Sequence, residues 1–144
     1  VNQVRGLKGM EPPEKNRFVE SLDFLLYGEE AFGQRFKGWV ATLEAVGGGK
    51  PSWRLATVIP ALVFPNEHVC VRRSSFIRQA AIIAPAAKYS RRPKRRSYRN
   101  FRRVARAARK RLSSAGHEAR DLLDVHDFGW VTLRNAALTH LKGD

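Results

Sequence analysis

The feature that most constrains this chain is a segment of unbalanced positive charge between residues 88 and 111. The segment contains 13 Lys and Arg residues and no Asp or Glu. In the rest of the 144-residue sequence, the other 14 basic residues are matched by 13 acidic ones. The net charge of +14 therefore lies almost entirely in one place, whereas a charge that served solubility alone would be spread more evenly.

The second half of this segment has the periodicity of an amphipathic helix, predicted to run from Tyr98 to Ala115 and to end at Gly116. At about 100° per residue, its apolar and basic side chains fall on opposite arcs, each about 100° wide. The apolar arc holds Phe101, Val104, Ala105, Ala108 and Leu112, and the basic arc holds Arg99, Arg102, Arg103, Arg106 and Lys110. We expect one face to pack on a core and the other to present guanidinium groups to solvent. Residues 90–97 contain Pro93 and are expected to form a loop.

Apolar residues at helical spacing predict further helices on both sides of the basic segment. The predicted ranges are 15–27, 29–46, 51–65, 74–84 and 118–133. For 51–65 a buried strand is the alternative, and Ser52, a good N-cap residue, favours the helix. Residues 68–72 alternate polar and apolar side chains, which predicts a short strand. The expected fold is a mainly α domain of five to six helices with at most a short β element at 68–72.

Composition narrows the class of protein. With 43% apolar and 10% aromatic residues, the chain can form a packed core. Residues 1–10 carry no periodic apolar pattern and are expected to be an N-terminal extension to a single helical domain over 11–144. No apolar run approaches the roughly 20 residues that span a bilayer, so no membrane is expected as a partner. Cys70 is the only cysteine, which excludes an internal disulfide and favours the cytoplasm.

The basic segment favours nucleic acid as the partner, with DNA slightly ahead of RNA. Arginine donates bidentate hydrogen bonds to phosphate oxygens and stays charged at any working pH. Such contacts carry no base information, so we expect binding with little sequence preference, by an accessory subunit of a larger complex. Tyr89 and Tyr98 flank the densest part and are expected to stack on bases. The predicted contact residues are Arg91, Arg92, Lys94, Arg95, Arg96, Arg99, Arg102, Arg103, Arg106, Lys110 and Tyr98.

Other interpretations stay open from the sequence. Acidic residues of the 118–127 segment would mask part of the basic face if they lay against it. The arginines would alternatively dock on an acidic protein. A third hypothesis is an enzyme acting on nucleic acid through Asp124, Asp127 and His68. The histidines lack the HxxxH and HExxH spacings of zinc sites, so neither a metal nor a cofactor is expected, and a non-enzymatic binding protein is preferred.

A second pattern, of residue types rather than charge, runs through residues 51–130. Its members are Trp53, Leu55, Ala56 and Thr57, then Pro65 and His68, then Tyr98, and finally Leu123, Asp124, Val125, Phe128 and Trp130. In this the chain resembles a group of uncharacterised bacterial proteins with a W-x-L-A-T, P-x-x-H and [LI]-D-V-x-x-F-x-W pattern. The resemblance implies bacterial origin and no established activity. A site shared by the group would involve Trp53, Thr57, His68, Arg72, Asp124 and Trp130; Arg54 and Arg73 stand where many members have proline.

Overall fold

A computed structural model of the chain describes residues 9–133 and residue 139. This part of the chain contains six helices and no strand, which confirms a mainly α fold. The helices are α1 (Pro12–Tyr27), α2 (Phe32–Val46), α3 (Trp53–Val63), α4 (Arg73–Ile83), α5 (Arg95–Ser114) and α6 (Leu122–Leu133). Within the described residues, none of these helices is both long and apolar enough to cross a membrane. Of the predicted N-terminal extension and helical domain, residues 1–8, 134–138 and 140–144 lie outside the described residues.

Helices α1 and α2 begin at different residues from those predicted. Helix α1 begins at Pro12 because a capping box closes its first turn, in which the backbone N–H of Glu11 donates to Glu14 Oε2 at 3.0 Å. Helix α2 begins at Phe32 rather than at Glu29, so the two glutamates before it lie outside the helix. The two helices pack against each other through an edge-to-face contact of Phe18 with Trp39, whose ring centroids are 5.1 Å apart.

Helix α3 confirms the helical interpretation of the apolar stretch. The Ser52 hydroxyl accepts a hydrogen bond from the Leu55 N–H at 3.2 Å, as expected of an N-cap residue. Pro60 lies inside the helix and has no N–H to give to the carbonyl of Ala56, four residues earlier. The indole Nε1–H of Trp39 donates to that carbonyl instead, at 3.1 Å. Helix α3 therefore tolerates a buried proline because α2 supplies the missing donor.

The predicted strand at 68–72 is wrong, since these residues belong to no strand. The alternation correctly marks Val69 and Val71 as buried, at 0% and 1% exposure, but the polar His68 is buried as well, at 4%. Side chains, not a neighbouring strand, satisfy the backbone of this segment. The Val71 N–H donates to Thr57 Oγ1 at 2.8 Å, and the Tyr98 hydroxyl donates to the Val69 carbonyl at 3.3 Å. The segment is thereby held between α3 and α5.

Helix α5 packs on the core through the face that its periodicity predicts. Phe101 is fully buried, between Trp53 of α3, Phe76 of α4 and Tyr89 of the preceding loop, with ring centroids 5.1, 5.5 and 4.7 Å away. The helix begins at Arg95, three residues earlier than predicted, so that part of the expected loop is helical. Helices α3 and α4 and the α4–α5 loop thus fix the position of α5.

The turn after α5 and the start of α6 explain why the last helix is shorter than predicted. Gly116 adopts a positive φ of 83°, a conformation that favours glycine and ends α5. Helix α6 begins only at Leu122, because the Asp121 carboxylate accepts hydrogen bonds from the N–H groups of Leu123 and Asp124 at 2.8 and 3.1 Å. Residues 118–121 therefore form a connection rather than a first turn.

Candidate nucleic-acid interface

The basic segment is not neutralised by the carboxylates of the described chain. Within residues 9–133 and 139, Arg120 forms an ion pair with Asp124 at 2.9 Å, and His126 Nδ1 lies 2.9 Å from Asp127 Oδ1, a pair that is ionic only when the histidine is protonated. Neither pair includes any of the 13 basic side chains of residues 88–111. Glu118 instead accepts a hydrogen bond from the Ser113 hydroxyl at 2.9 Å. No described carboxylate of the 118–127 segment therefore pairs with a basic side chain of residues 88–111.

Four arginines of the segment are oriented by neutral oxygen atoms of the chain. Arg102 Nε and Arg106 Nη2 both donate to the Glu67 carbonyl, at 2.8 and 3.3 Å. Arg95 donates to Gln34 Oε1 at 3.1 Å, and Arg109 donates to Asn66 Oδ1 at 3.1 Å and to the carbonyls of Ala119 and Arg120. A neutral acceptor fixes the direction of a guanidinium group without cancelling its charge.

The other nine basic side chains are exposed and make no hydrogen bond or ion pair with the described residues. They are Lys88, Arg91, Arg92, Lys94, Arg96, Arg99, Arg103, Lys110 and Arg111. Seven of these were predicted as contact residues. Lys88 and Arg111, the first and last basic residues of the 88–111 segment, were not, although the charge count that defines the segment includes both of them.

Tyr98 was wrongly predicted as a contact residue. Its side chain is 1% exposed, its ring stacks on Phe36 at a centroid distance of 4.7 Å, and its Oη lies 3.3 Å from His68 Nδ1. Burial raises the pKa of the Tyr98 hydroxyl. The ring is buried because Tyr98 lies one turn before Phe101 on the apolar side of α5. Tyr98 therefore cannot stack on a base in this structure.

The exposed basic side chains Arg96, Arg99, Arg103 and Lys110 form a ridge on α5. Among the grooves beside this ridge, two are lined by Arg96 and Arg99. The loop groove, of about 1070 Å³, lies between residues 83–90 and α5, and its basic lining residues are Lys88, Lys94, Arg96, Arg99 and Arg103. The α2 groove, of about 450 Å³, lies between the start of α2 and α5 and includes Phe32, Phe36 and Arg102. Arg96 and Arg99 line both grooves. Sequence reasoning missed the grooves because their second walls come from other elements.

The residues of the enzymatic hypothesis do not come together. His68 is 4% exposed and lies against the Phe32 ring at a centroid distance of 4.1 Å. Asp124 is held by two hydrogen bonds from the Arg120 guanidinium, which with a backbone bond hold the pKa of this carboxyl at about 2. Asp127 is paired with His126. No group of three or more metal-ligating side chains occurs within the part of the chain that the structure describes.

The residues of the second sequence pattern make packing and hydrogen-bond contacts within the core and at its edge. The Trp53 indole donates to the Ser90 carbonyl at 3.2 Å, while the Thr57 hydroxyl supports the 68–72 segment. The Arg72 guanidinium lies over the Trp130 ring, 3.1 Å from its centre. Arg54 and Arg73 fall in the first turns of α3 and α4, where proline is also tolerated.

Comparisons of the chain with protein-family models, with curated proteins and with solved structures found no match. The candidate interface is accordingly described by its own charge, exposure and hydrogen bonding.

Burial of His68 behind the arginines makes stability depend on pH. Desolvation, followed by the charges of Arg102, Arg106 and Arg35, lowers the pKa of His68 to about 3. Between about pH 6.5 and pH 3 the unfolded chain therefore binds a proton that the folded chain does not, so stability falls as pH falls. We expect the free energy of unfolding to drop by about 2 kcal/mol between pH 7 and pH 5 from this group.

Urea denaturation at pH 7 and pH 5 measures this dependence. The His68→Gln variant should lose most of the difference, whereas the same change at the exposed His117 should leave it in place. An identical pH dependence in the His68→Gln variant and the parent protein would contradict a neutral, buried His68.

Proposed function

We propose that this protein binds nucleic acid, chiefly through phosphate contacts made by α5 and the basic residues just before it, and catalyses no reaction itself. The observation that carries the proposal is the absence of any ion pair between the 13 basic side chains and a described carboxylate. A cluster of uncompensated cations on a packed helix attracts a polyanion strongly. Arginine, the main residue type here, is also the best bidentate donor to phosphate.

The placement of the ridge supports the same proposal. Arg96, Arg99, Arg103 and Lys110 are exposed on α5, and the first and last are separated by about 21 Å at 1.5 Å per residue. That length corresponds to about six steps of 3.4 Å along one DNA strand. Because Phe101 anchors the buried face, the cations are held in place before the partner arrives, which lowers the entropy cost of binding.

Phosphate contacts alone do not distinguish DNA from RNA or one base sequence from another. We therefore propose a binder with little base preference. We also propose that it acts in the cytoplasm, as an accessory subunit of a larger complex. The cytoplasmic location is proposed because Cys70 is the only cysteine of the sequence, which suits a reducing compartment.

A titration of the full chain against three labelled partners tests the proposal. We expect duplex DNA and single-stranded RNA to bind at 50 mM salt, and about six phosphate contacts to cost about 10³-fold in affinity at 200 mM. Fluorescence anisotropy measures both affinities. An acidic peptide of matched charge should bind more weakly. Equal or tighter binding of the peptide, or no binding of either nucleic acid at 50 mM salt, would reject nucleic acid as the partner.

A further inference from the structure

The loop groove has an apolar lining that binding to a row of phosphates does not require. The groove is lined by five cations and no carboxylate, but also by Pro85, Tyr89, Val104 and Ala107. Its volume of about 1070 Å³ reaches the upper end of the range for small-molecule sites, which is about 300–1000 Å³. A duplex would meet the cations with its phosphates and would leave the apolar lining without a partner.

The groove also offers unused hydrogen-bonding capacity. The Tyr89 hydroxyl oxygen is buried and has no hydrogen-bond partner among the described residues, although its residue lines the groove. Asn100, on the α5 wall, uses its Nδ2 to donate to the Lys88 carbonyl at 3.4 Å, and no described donor is bonded to its Oδ1. The Oδ1 of Asn100 is therefore available to accept a hydrogen bond from the edge of an unpaired base, which carries both donors and acceptors.

Hydrogen bonds across the groove fix the position of its walls. Ser90, at the end of the loop wall, accepts from Trp53 Nε1 and Arg73 Nε at 3.2 and 3.3 Å, and its N–H donates to Ser97 Oγ at 2.8 Å. The Tyr89 ring stacks on Phe101. These contacts connect the loop to α3, α4 and α5, so the groove is formed before a ligand enters it. A preformed groove loses less conformational entropy on binding than a mobile loop would.

We propose that the loop groove binds a single-stranded nucleic-acid segment, with phosphates on Arg96, Arg99 and Arg103 and unpaired bases against Tyr89 and the apolar lining. This inference rests on the proposed function and narrows it to unpaired strands. Bases stack on aromatic rings whatever their sequence, which agrees with a groove that combines one tyrosine ring, small apolar side chains and a basic rim. Single-stranded RNA and single-stranded DNA share this chemistry.

Fluorescence anisotropy of the full chain with labelled nucleic acids tests the proposal. The three ligands are 12-nucleotide oligouridine, 12-nucleotide oligothymidine and a 12-base-pair duplex. At 100 mM salt we expect both single strands to bind more tightly than the duplex per phosphate. The Tyr89→Leu variant should weaken single-strand binding by at least about fivefold, the lower limit for one stacked base, with no change in the salt dependence. The Tyr89→Phe variant keeps the ring and should retain most of the binding. Tyr27→Leu, at a tyrosine that is 64% exposed outside the groove, is the matched control.

A second measurement does not depend on the folding of a variant. Irradiation of the parent protein with 4-thiouridine-substituted oligouridine should give cross-links within residues 83–107 that mass spectrometry locates. Cross-links elsewhere, or a folded Tyr89→Leu variant with unchanged single-strand affinity, would overturn the groove assignment. If duplex DNA still bound in that case, the proposed function would survive. If no nucleic acid bound at all, both proposals would fail together.

Discussion

Replacing Arg96, Arg99 and Arg103 with glutamate should reduce the affinity for nucleic acid by about 10³-fold at 100 mM salt. All three side chains are exposed and line the loop groove, and none has a hydrogen-bond or ion-pair partner in the described chain. A non-specific affinity of 10⁻⁴ to 10⁻⁶ M shared among about six phosphate contacts assigns roughly tenfold to each contact. Anisotropy with duplex DNA and single-stranded RNA measures the loss.

A charge-matched control separates the site from the net charge. The triple variant Lys15→Glu, Arg17→Glu and Arg54→Glu changes the net charge by the same amount at exposed positions outside α5 and its grooves. Screening over about 10 Å at 0.1 M salt limits the influence of distant charges, so we expect less than a tenfold loss. Similar losses in the two triple variants would mean that overall charge, and not the α5 ridge, determines binding.

The Phe101→Ala variant should lower the free energy of unfolding by about 3–5 kcal/mol. The ring is fully buried, and Trp53, Phe76 and Tyr89 contact it from three different elements. Truncation leaves a cavity that α3, α4 and the loop cannot all close at once. Since domains of this size are stable by only about 5–15 kcal/mol, the loss is a large fraction of the total.

Urea denaturation followed by tryptophan fluorescence measures this loss. Phe128→Ala on α6 is the matched control, because that ring is 45% exposed and its truncation should cost less than about 1 kcal/mol. A loss below about 1.5 kcal/mol for Phe101→Ala would contradict a core in which α5 is anchored through this residue.

The sequence predicts those parts of the fold that depend on local pattern. The inward face of α5 follows from helical spacing around Phe101, and the start of α3 follows from Ser52 as its cap. The partners of the 68–72 backbone could not be predicted, because they are the Thr57 and Tyr98 side chains from two other elements. An alternating pattern indicates which apolar side chains are buried, but not whether a strand or a pair of side chains satisfies the hydrogen-bonding groups of the backbone.

The candidate site, like the fold, could be predicted from the sequence only where it depends on local pattern. The charge count located the basic ridge, but periodicity gave no indication that Arg102 and Arg106 would both donate to the Glu67 carbonyl. The grooves depend on residues 83–90 and on the start of α2, which long-range packing brings beside α5. The prediction for Tyr98 is wrong because its spacing from Phe101 places the ring on the buried, apolar side of α5, where no base can reach it.

The dependence of duplex DNA affinity on salt tests most directly whether the charge of α5 is free to bind phosphate. For the parent protein we expect a slope of log affinity against log salt near −5, as about six neutralised phosphates predict. Replacing Arg96, Arg99 and Arg103 with alanine should make this slope shallower by about 2.7, since each lost contact removes about 0.9. A parent slope shallower than about −1, or the same slope before and after the substitutions, would contradict phosphate binding by this helix.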